Sequence, residues 1–387
     1  MIELPKAPDA IELRHLRAFV AVAEELNFSR AAKRLFMTQP ALSRQIQSLE
    51  RLIGVELLRR STRQVELTLA GEALLHRTRP MLGDLDQAVA TTRSLGDEQQ
   101  QRLARLTQPV ADTMGKGLDE FREAYEAMNA QLPTPEGISA RPVRAGGVPS
   151  LVYETEPGTA PTVLFVHGGG YFTGSAFGSR PLAGVLSSLT ERATLVPDYR
   201  LAPEHPYPAA AEDVAAAYTW LATRTQPDRL AVVAESSGCG LLLSALRRVR
   251  QAGDPGPLPG RIVLLSPAID LEGRYLDQLP EGDPQAEMLR ELMARSMPMY
   301  LDGHPADDPA VNALYDDLTG LPAMLVQVGA QDFCLHDARE LVDRARDHGV
   351  DAQLELYPVV THVFHHYWSF LPEASRALER TSAFVNA

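Results

Sequence analysis

Apolar positions recur at helical spacing through the first quarter of the chain and gather into short strand-like runs in its later two thirds. From Glu12 onward, Leu16, Phe19, Val20, Ala23 and Leu26 mark one face of an amphipathic helix. Ser29 is placed to cap a second helix, through Ala31, Ala32 and Leu35, that stops near Met37. After the break Thr38-Gln39-Pro40, with Pro40 in the first helical turn, Leu42, Ile46, Leu49 and Leu52 line a third helix that Gly54 ends. The alternation in STRQVELT suits a two-stranded wing. Leu74, Thr78, Met81, Leu85, Ala88, Thr92 and Leu95 are then spaced alternately four and three, a heptad seam suited to pairing two helices. Pro80 lies inside this segment and is expected to kink or divide it.

The charged, glutamine-rich run GDEQQQR, residues 96 to 102, marks a boundary, and beyond it the pattern changes. Residues 118 to 132 form one amphipathic helix that Pro133 and Pro135 end. Seven runs follow, SLVYET, TVLFVHG, ATLVPDY, LAVVAES, RIVLLSP, AMLVQVG and AQLELYP, separated mostly by helix-length segments. Continuously apolar strands between helices predict a mostly parallel sheet covered on both faces, so the fold class is α/β.

Composition refines this picture in three ways. A chain of 387 residues is long for one domain and predicts two units. No run of eighteen apolar residues occurs, and the N-terminus lacks the basic and apolar regions of a secretion signal, so no membrane partner and a cytoplasmic location are expected. The two cysteines, Cys239 and Cys334, stand apart from metal-ligand spacings and read as packing residues, with no metal or cofactor implied. Net charge is −13, yet residues 1 to 82 hold 13 basic against 9 acidic side chains, and the remainder 24 against 41. A basic head precedes an acidic body.

Two short helices separated by a few residues, the second polar and basic on its outer face, have helix-turn-helix geometry. The run FSRAAKRLFMTQPALSRQIQSLERLIGVELLRR, followed by LTLAGEALL, resembles the winged helix-turn-helix of LysR-type transcriptional regulators over roughly residues 12 to 76. By that resemblance Gln39, Pro40, Ser43, Arg44 and Gln47 lie on or beside a recognition helix facing double-stranded DNA. Arg59, Arg60 and Arg63 would hold phosphates, and the heptad segment would be the linker helix through which a homodimer forms.

In the body, unusual residues cluster where strands end. The strand TVLFV runs into His167 and three glycines, whose amides could approach a developing oxyanion closely. LAVVAES ends a strand and SSGCGLLLSALRRV begins a helix, the setting of a nucleophile elbow around Ser236, with Ala234 where the first glycine of Gly-x-Ser-x-Gly is usual. Asp332 and His362, each just past a later strand, complete the order Ser, Asp, His. The stretches HGGGYFTGS, DYRLAPEHPYPAAAEDV, AESSGCG, LLSPAIDL and THVF, spread over residues 140 to 385, resemble the hormone-sensitive-lipase-like esterases of the α/β-hydrolase fold. The resemblance implies Ser236 as nucleophile, His362 as base and Asp332 as its orienting carboxylate. It also implies an oxyanion hole from the amides of Gly168, Gly169 and Ser237, and a helical cap near residues 110 to 135 and 275 to 318. Glu204 and Arg200 are expected to brace loops, and at most one of His365 and His366 to lie near the pocket.

The expected organisation is a winged helix-turn-helix over residues 1–70, a linker helix over 71–104 and an α/β-hydrolase unit over 105–387. The expected activity is hydrolysis of short-chain esters or lactones by a chain that also binds DNA. The alternative is a LysR-like regulator that uses the hydrolase fold to sense a small molecule.

Overall fold

The computed structural model describes residues 11–60, 65–94, 98–113, 115–252, 257–276 and 284–387. The chain divides into two compact units, 1–92 and 93–387, whereas the sequence pattern divides it at 70 and 104.

In the first unit, α1 (Leu13–Glu25), α2 (Phe28–Arg34) and α3 (Gln39–Ile53) close around Phe19, Val22, Leu42, Ile46 and Leu49, all fully buried. Leu26 is not part of the apolar face: it follows the helix with φ 46° and is 49% exposed. The cap of α2 is Asn27 rather than Ser29. The Arg30 amide donates to Asn27 Oδ1 at 2.9 Å, while Ser29, two residues past the cap and inside the helix, donates from Oγ to Gln39 Oε1 at 3.1 Å. Pro40 sits in the first turn of α3, where its missing N–H costs nothing, and Gly54 ends the helix at φ 84°.

The wing is the antiparallel pair β1 (Leu58–Arg60) and β2 (Val65–Leu67), with Leu58 opposite Leu67; Arg63 lies outside the described residues. Helix α4 (Leu69–Ser94) runs through Pro80 without dividing. Along the expected seam Thr78 is buried, Leu74 and Leu85 are half-buried and Met81 is exposed; Leu95 lies outside the described residues. Arg79 of α4 pairs with Glu24 at 3.1 Å, and Asp86 pairs with Arg17, so part of this helix is tied back to α1.

The second unit begins with α5 (Glu98–Ala111) and α6 (Leu118–Ala130), then alternates β3 (Ser139–Ala145), β4 (Val148–Glu154), β5 (Val163–Val166), α7 (Arg180–Thr190), β6 (Thr194–Pro197) and α8 (Ala209–Ala222). It continues with β7 (Ala231–Glu235), α9 (Ser237–Gln251), β8 (Arg261–Leu265), α10 (Pro284–Leu301), β9 (Met324–Gly329), α11 (Leu335–Asp347), β10 (Ala352–Tyr357) and α12 (Pro372–Val385). Eight strands form one sheet in the order β10-β9-β8-β7-β5-β6-β4-β3, parallel from β10 to β6 and antiparallel at β6-β4 and β4-β3.

Both faces of the sheet are covered, which is why its central strands read as unbroken apolar runs. Leu164, Val232, Leu264 and Val326 join the core that contains residues of α8, α9 and α11; Phe165, Val233, Val263 and Leu325 join the one that contains residues of α7 and α12. Of the run expected as a boundary, residues 98 to 102 lie in α5 and the rest lies outside the described residues. Gln99 donates to the Phe370 carbonyl at 3.3 Å, the Arg102 guanidinium lies 4.0 Å over the Phe370 ring, and Leu103 and Leu106 pack behind. Helix α6 is held by Arg122, which donates to both carboxylate oxygens of Glu204, at 2.6 and 2.8 Å, and to the carbonyls of Phe172 and Ala202. Arg295 of α10 donates to the Lys116 carbonyl just before α6, at 3.0 Å.

Replacing Ile46, the fully buried centre of the head, by Ala is expected to destabilise the first unit by about 2–5 kcal/mol. Chemical denaturation checks this: the head's transition moves to lower denaturant while that of the second unit stays in place.

Candidate active site

The carboxyl ends of the parallel strands gather the chemistry, as they do in open α/β sheets. Between β7 and α9 the chain turns through Ser236 at φ 49° and ψ −128°, a conformation that a side chain adopts only when its surroundings hold it. The Ser236 amide donates to Leu265 O at 2.9 Å, and its carbonyl accepts from the Ala268 and Cys239 amides at 3.1 and 3.0 Å. Gly238 lets the helix start against β5: a Cβ there would stand 2.3 Å from the His167 carbonyl oxygen. Ala234, at the position where glycine is usual, is a fully buried strand residue opposite Val166 and Leu264, with its methyl in the core.

The strand ends bring Ser236, His362 and Asp332 together. His362 Nε2 lies 2.8 Å from Ser236 Oγ, and its Nδ1 lies 2.9 and 3.2 Å from the two carboxylate oxygens of Asp332. Asp332 is buried and accepts the Cys334 amide at 2.9 Å, so its carboxylate is oriented before it meets the imidazole. With Nδ1 donating to Asp332, Nε2 is left as the acceptor for the serine proton. The ring of Phe333 lies against the imidazole, centroids 4.2 Å apart. Asp332, Cys334 and His362 also form a group that could hold a metal ion, but burial pushes the Cys334 thiol well above its usual range, which disfavours the thiolate a metal would need.

The glycine loop corrects one expectation. The Gly168 amide does not face the serine oxygen: it donates to Oε1 of the buried Glu235 at 3.1 Å. Among the described residues, the Gly169, Gly170 and Ser237 amides have no acceptor, Gly169 and Gly170 at φ 116° and 61° and Ser237 at the start of α9. A Cβ at Gly168 would come within 2.8 Å of Ser236 Cβ, so the loop passes directly over the elbow. The amides left to meet an oxyanion at this turn are therefore those of Gly169, Gly170 and Ser237, while that of Gly168 is taken by Glu235. Sequence reading missed Gly170, Glu235 and Phe333; for Glu235 the signal was its place immediately before Ser236.

His365 and His366 diverge. His365 Nε2 meets Gln327 Oε1 at 3.2 Å, and burial holds its imidazole down at about 3, whereas His366 Nε2 lies 2.9 Å from Glu235 Oε2. Arg200 pairs bidentately with Asp213 and Glu204 with Arg122, both bracing loops.

A family model described as "alpha/beta hydrolase fold" matches residues 163–366. The chain belongs to that family. The acetyl-hydrolase of Streptomyces hygroscopicus is 36% identical over 225 residues, 58% of this chain and 75% of the relative. The crystal structure of an esterase from the bacterial hormone-sensitive lipase family superposes with TM-score 0.67 at 35% identity, covering 76% of this chain and 99% of its own. Ahead of the hydrolase, a family model described as "Bacterial regulatory helix-turn-helix protein, lysR family" matches residues 13–72. There the chain is 56% identical over 79 residues to the HTH-type transcriptional regulator AlsR of Bacillus subtilis, covering 20% of this chain and 26% of that regulator.

On α3 of this head Gln39, Pro40, Arg44 and Gln47 are exposed and Ser43 is half-buried. The Arg44 guanidinium reaches back to the Pro40 carbonyl, at 3.4 Å. Arg59 is exposed on β1, which also carries Arg60.

Because the atoms facing Gly238 are backbone carbonyls of β5 and its following loop, Gly238→Ala is expected to destabilise the second unit by about 1–3 kcal/mol. A melting temperature equal to that of the wild type would contradict the close approach.

Proposed function

We propose that the second unit hydrolyses short-chain carboxylic esters or lactones through an acyl-enzyme, and that the first unit binds double-stranded DNA. The observation that carries the hydrolytic reading is the unbroken series Asp332, His362, Ser236 at 2.9 and 2.8 Å, ending at a serine in a strained turn. Ser236 Oγ attacks the ester carbonyl while its proton passes to His362 Nε2. Asp332 stays ionised and stabilises the imidazolium. The tetrahedral oxyanion is met by the free amides of the glycine loop and Ser237. His362 then protonates the departing alkoxide, takes a proton from water, and water releases the acyl group as a carboxylic acid. Relatives named as an acetyl-hydrolase and an esterase support a carboxylic ester as substrate, with a small acyl group.

In the head, Gln39, Pro40, Ser43, Arg44 and Gln47 meet the major groove, and Arg59, Arg60 and Arg63 hold phosphates. The heptad segment of α4, from Leu74 onward, pairs two copies, and the protein works in the cytoplasm, where it meets DNA. A second reading is favoured by the presence of a regulator-family head, residues 13–72, on a hydrolase: the hydrolase pocket is the effector sensor of a transcription regulator. Such coupling requires the ester to bind one DNA-binding arrangement better than the other.

A p-nitrophenyl ester series from acetate to octanoate tests the hydrolytic reading. The wild type is expected to favour the short esters and Ser236→Ala to lose roughly 10⁴-fold or more in kcat; a folded wild type inert on the whole series contradicts it. For the head, Arg44→Ala is expected to cost about 1–3 kcal/mol on the preferred site alone, and Arg59→Ala to weaken all sites and lower the salt slope by about 1. Titrating labelled DNA with Ser236→Ala, with and without ester, separates the two readings, because a sensor changes its affinity and a mere fusion does not.

A further inference from the structure

The residue before Ser236 is a buried carboxylate that the hydrolytic steps do not use. Glu235 ends β7 and is 2% exposed. Its Oε1 accepts the Gly168 amide at 3.1 Å, from the loop after β5, and its Oε2 lies 2.9 Å from Nε2 of His366, from the turn after β10 that also carries His362. One carboxylate thus ties together the three strand ends that supply the nucleophile, the glycine loop and the base.

We propose that Glu235 is a positioning residue: by holding the Gly168 amide, and being held by His366, it aims the next amides of the loop at the oxyanion.

The argument runs along the backbone. Both peptide units that meet at Gly168 are pinned. Its N–H is held by Glu235, and its carbonyl oxygen lies 2.8 Å from His167 Nδ1 and accepts from Tyr199 Oη at 3.4 Å. In a trans peptide the carbonyl and the following N–H point in opposite directions. Fixing Gly168 O on the His167 and Tyr199 side therefore turns the Gly169 N–H to the other side. The same logic applies one residue on: the Gly169 carbonyl accepts from the Phe172 and Thr173 amides at 3.2 and 3.0 Å, which directs the Gly170 N–H away from that turn. His167 is itself fixed, its ring stacked on Tyr199 with centroids 4.2 Å apart and its carbonyl accepting from Tyr199 Oη at 2.8 Å.

His366 answers the electrostatic objection. A bare carboxylate beside a forming oxyanion would repel it, and burial alone would push the Glu235 carboxyl up. The nearby His366, the Gly168 amide and His167 outweigh burial and hold the group below the usual carboxylate range. The carboxylate can then act as an acceptor for the loop, with the His366 imidazole against its far oxygen. Glu235 bonds none of the side chains of Ser236, His362 and Asp332, so the defect expected on its loss belongs to the tetrahedral state rather than to ground-state binding.

The inference rests on the proposed acyl transfer, and its experiment reads the two separately. In Glu235→Leu, of similar shape but with no acceptor for Gly168, kcat on a p-nitrophenyl ester is expected to fall about 30- to 100-fold with KM within about threefold. Affinity for a trifluoromethyl ketone, whose hemiketal oxygen mimics the oxyanion, should fall by a similar factor. Glu235→Gln keeps an oxygen for Gly168 and should recover most of that loss. Should Glu235→Leu show no cooperative melting transition, Glu235→Asp replaces it, withdrawing the carboxylate by about one bond length, ~1.5 Å, and the same split is expected. An active wild type whose Leu or Asp variant keeps its kcat, or loses only in KM, overturns the inference alone. A folded but inert wild type overturns the hydrolytic reading and the inference with it.

Discussion

The turn at Ser236 is the constraint on which the second unit's chemistry depends. A serine at φ 49° and ψ −128° costs of order 1–3 kcal/mol, and the fold meets that cost with the core around it. Strand β7 is buried along its length, the Ser236 backbone is tied to Leu265, Ala268 and Cys239, and Gly238 allows α9 to start within touching distance of the His167 carbonyl. These fixed points set where Oγ stands. The loops after β9 and β10 then need only place Asp332 and His362 along one line, and the loop after β5 needs only to present its amides to the same point. Parallel strands make this economical, because all their carboxyl ends lie on one edge.

The head obeys different physics. Its small core of Phe19, Val22, Leu42, Ile46 and Leu49 leaves the outer face of α3 free to carry Gln39, Arg44 and Gln47. Its basic excess contrasts with the acidic hydrolase that follows. A polyanion is therefore attracted to the first unit and repelled by the second, which restricts phosphate-driven binding to the head whatever the hydrolase does.

Most of this was legible in the sequence because its signals are local. Seven strands read as runs rich in apolar residues, and the helix-turn-helix read from spacing plus Pro40 and Gly54. Ser236, Asp332 and His362 read from their places just past strands. What escaped depended on partners distant in sequence. Strand β3, SARPVRA, is an edge strand that alternates exposed and half-buried positions and contains Pro142, so it lacks the run that marks a central strand. The start of α5 is polar, and its docking is decided by Phe370, some 270 residues later. The direction of the Gly168 amide is set by a Glu235 side chain 67 residues away, which no motif of consecutive glycines reveals. The cap at Asn27 rather than Ser29 is a smaller instance: both residues can cap, and the entry of Phe28 into the helix decided between them.

The central claim, that Ser236 is acylated during turnover, is tested most directly by rapid acid quench of the wild type with p-nitrophenyl butyrate, followed by mass mapping of its peptides. The account predicts one butyryl group on the peptide containing Ser236, forming within the burst of p-nitrophenol and decaying as substrate runs out. Hydrolysis without that adduct, or an adduct on another residue, would contradict it.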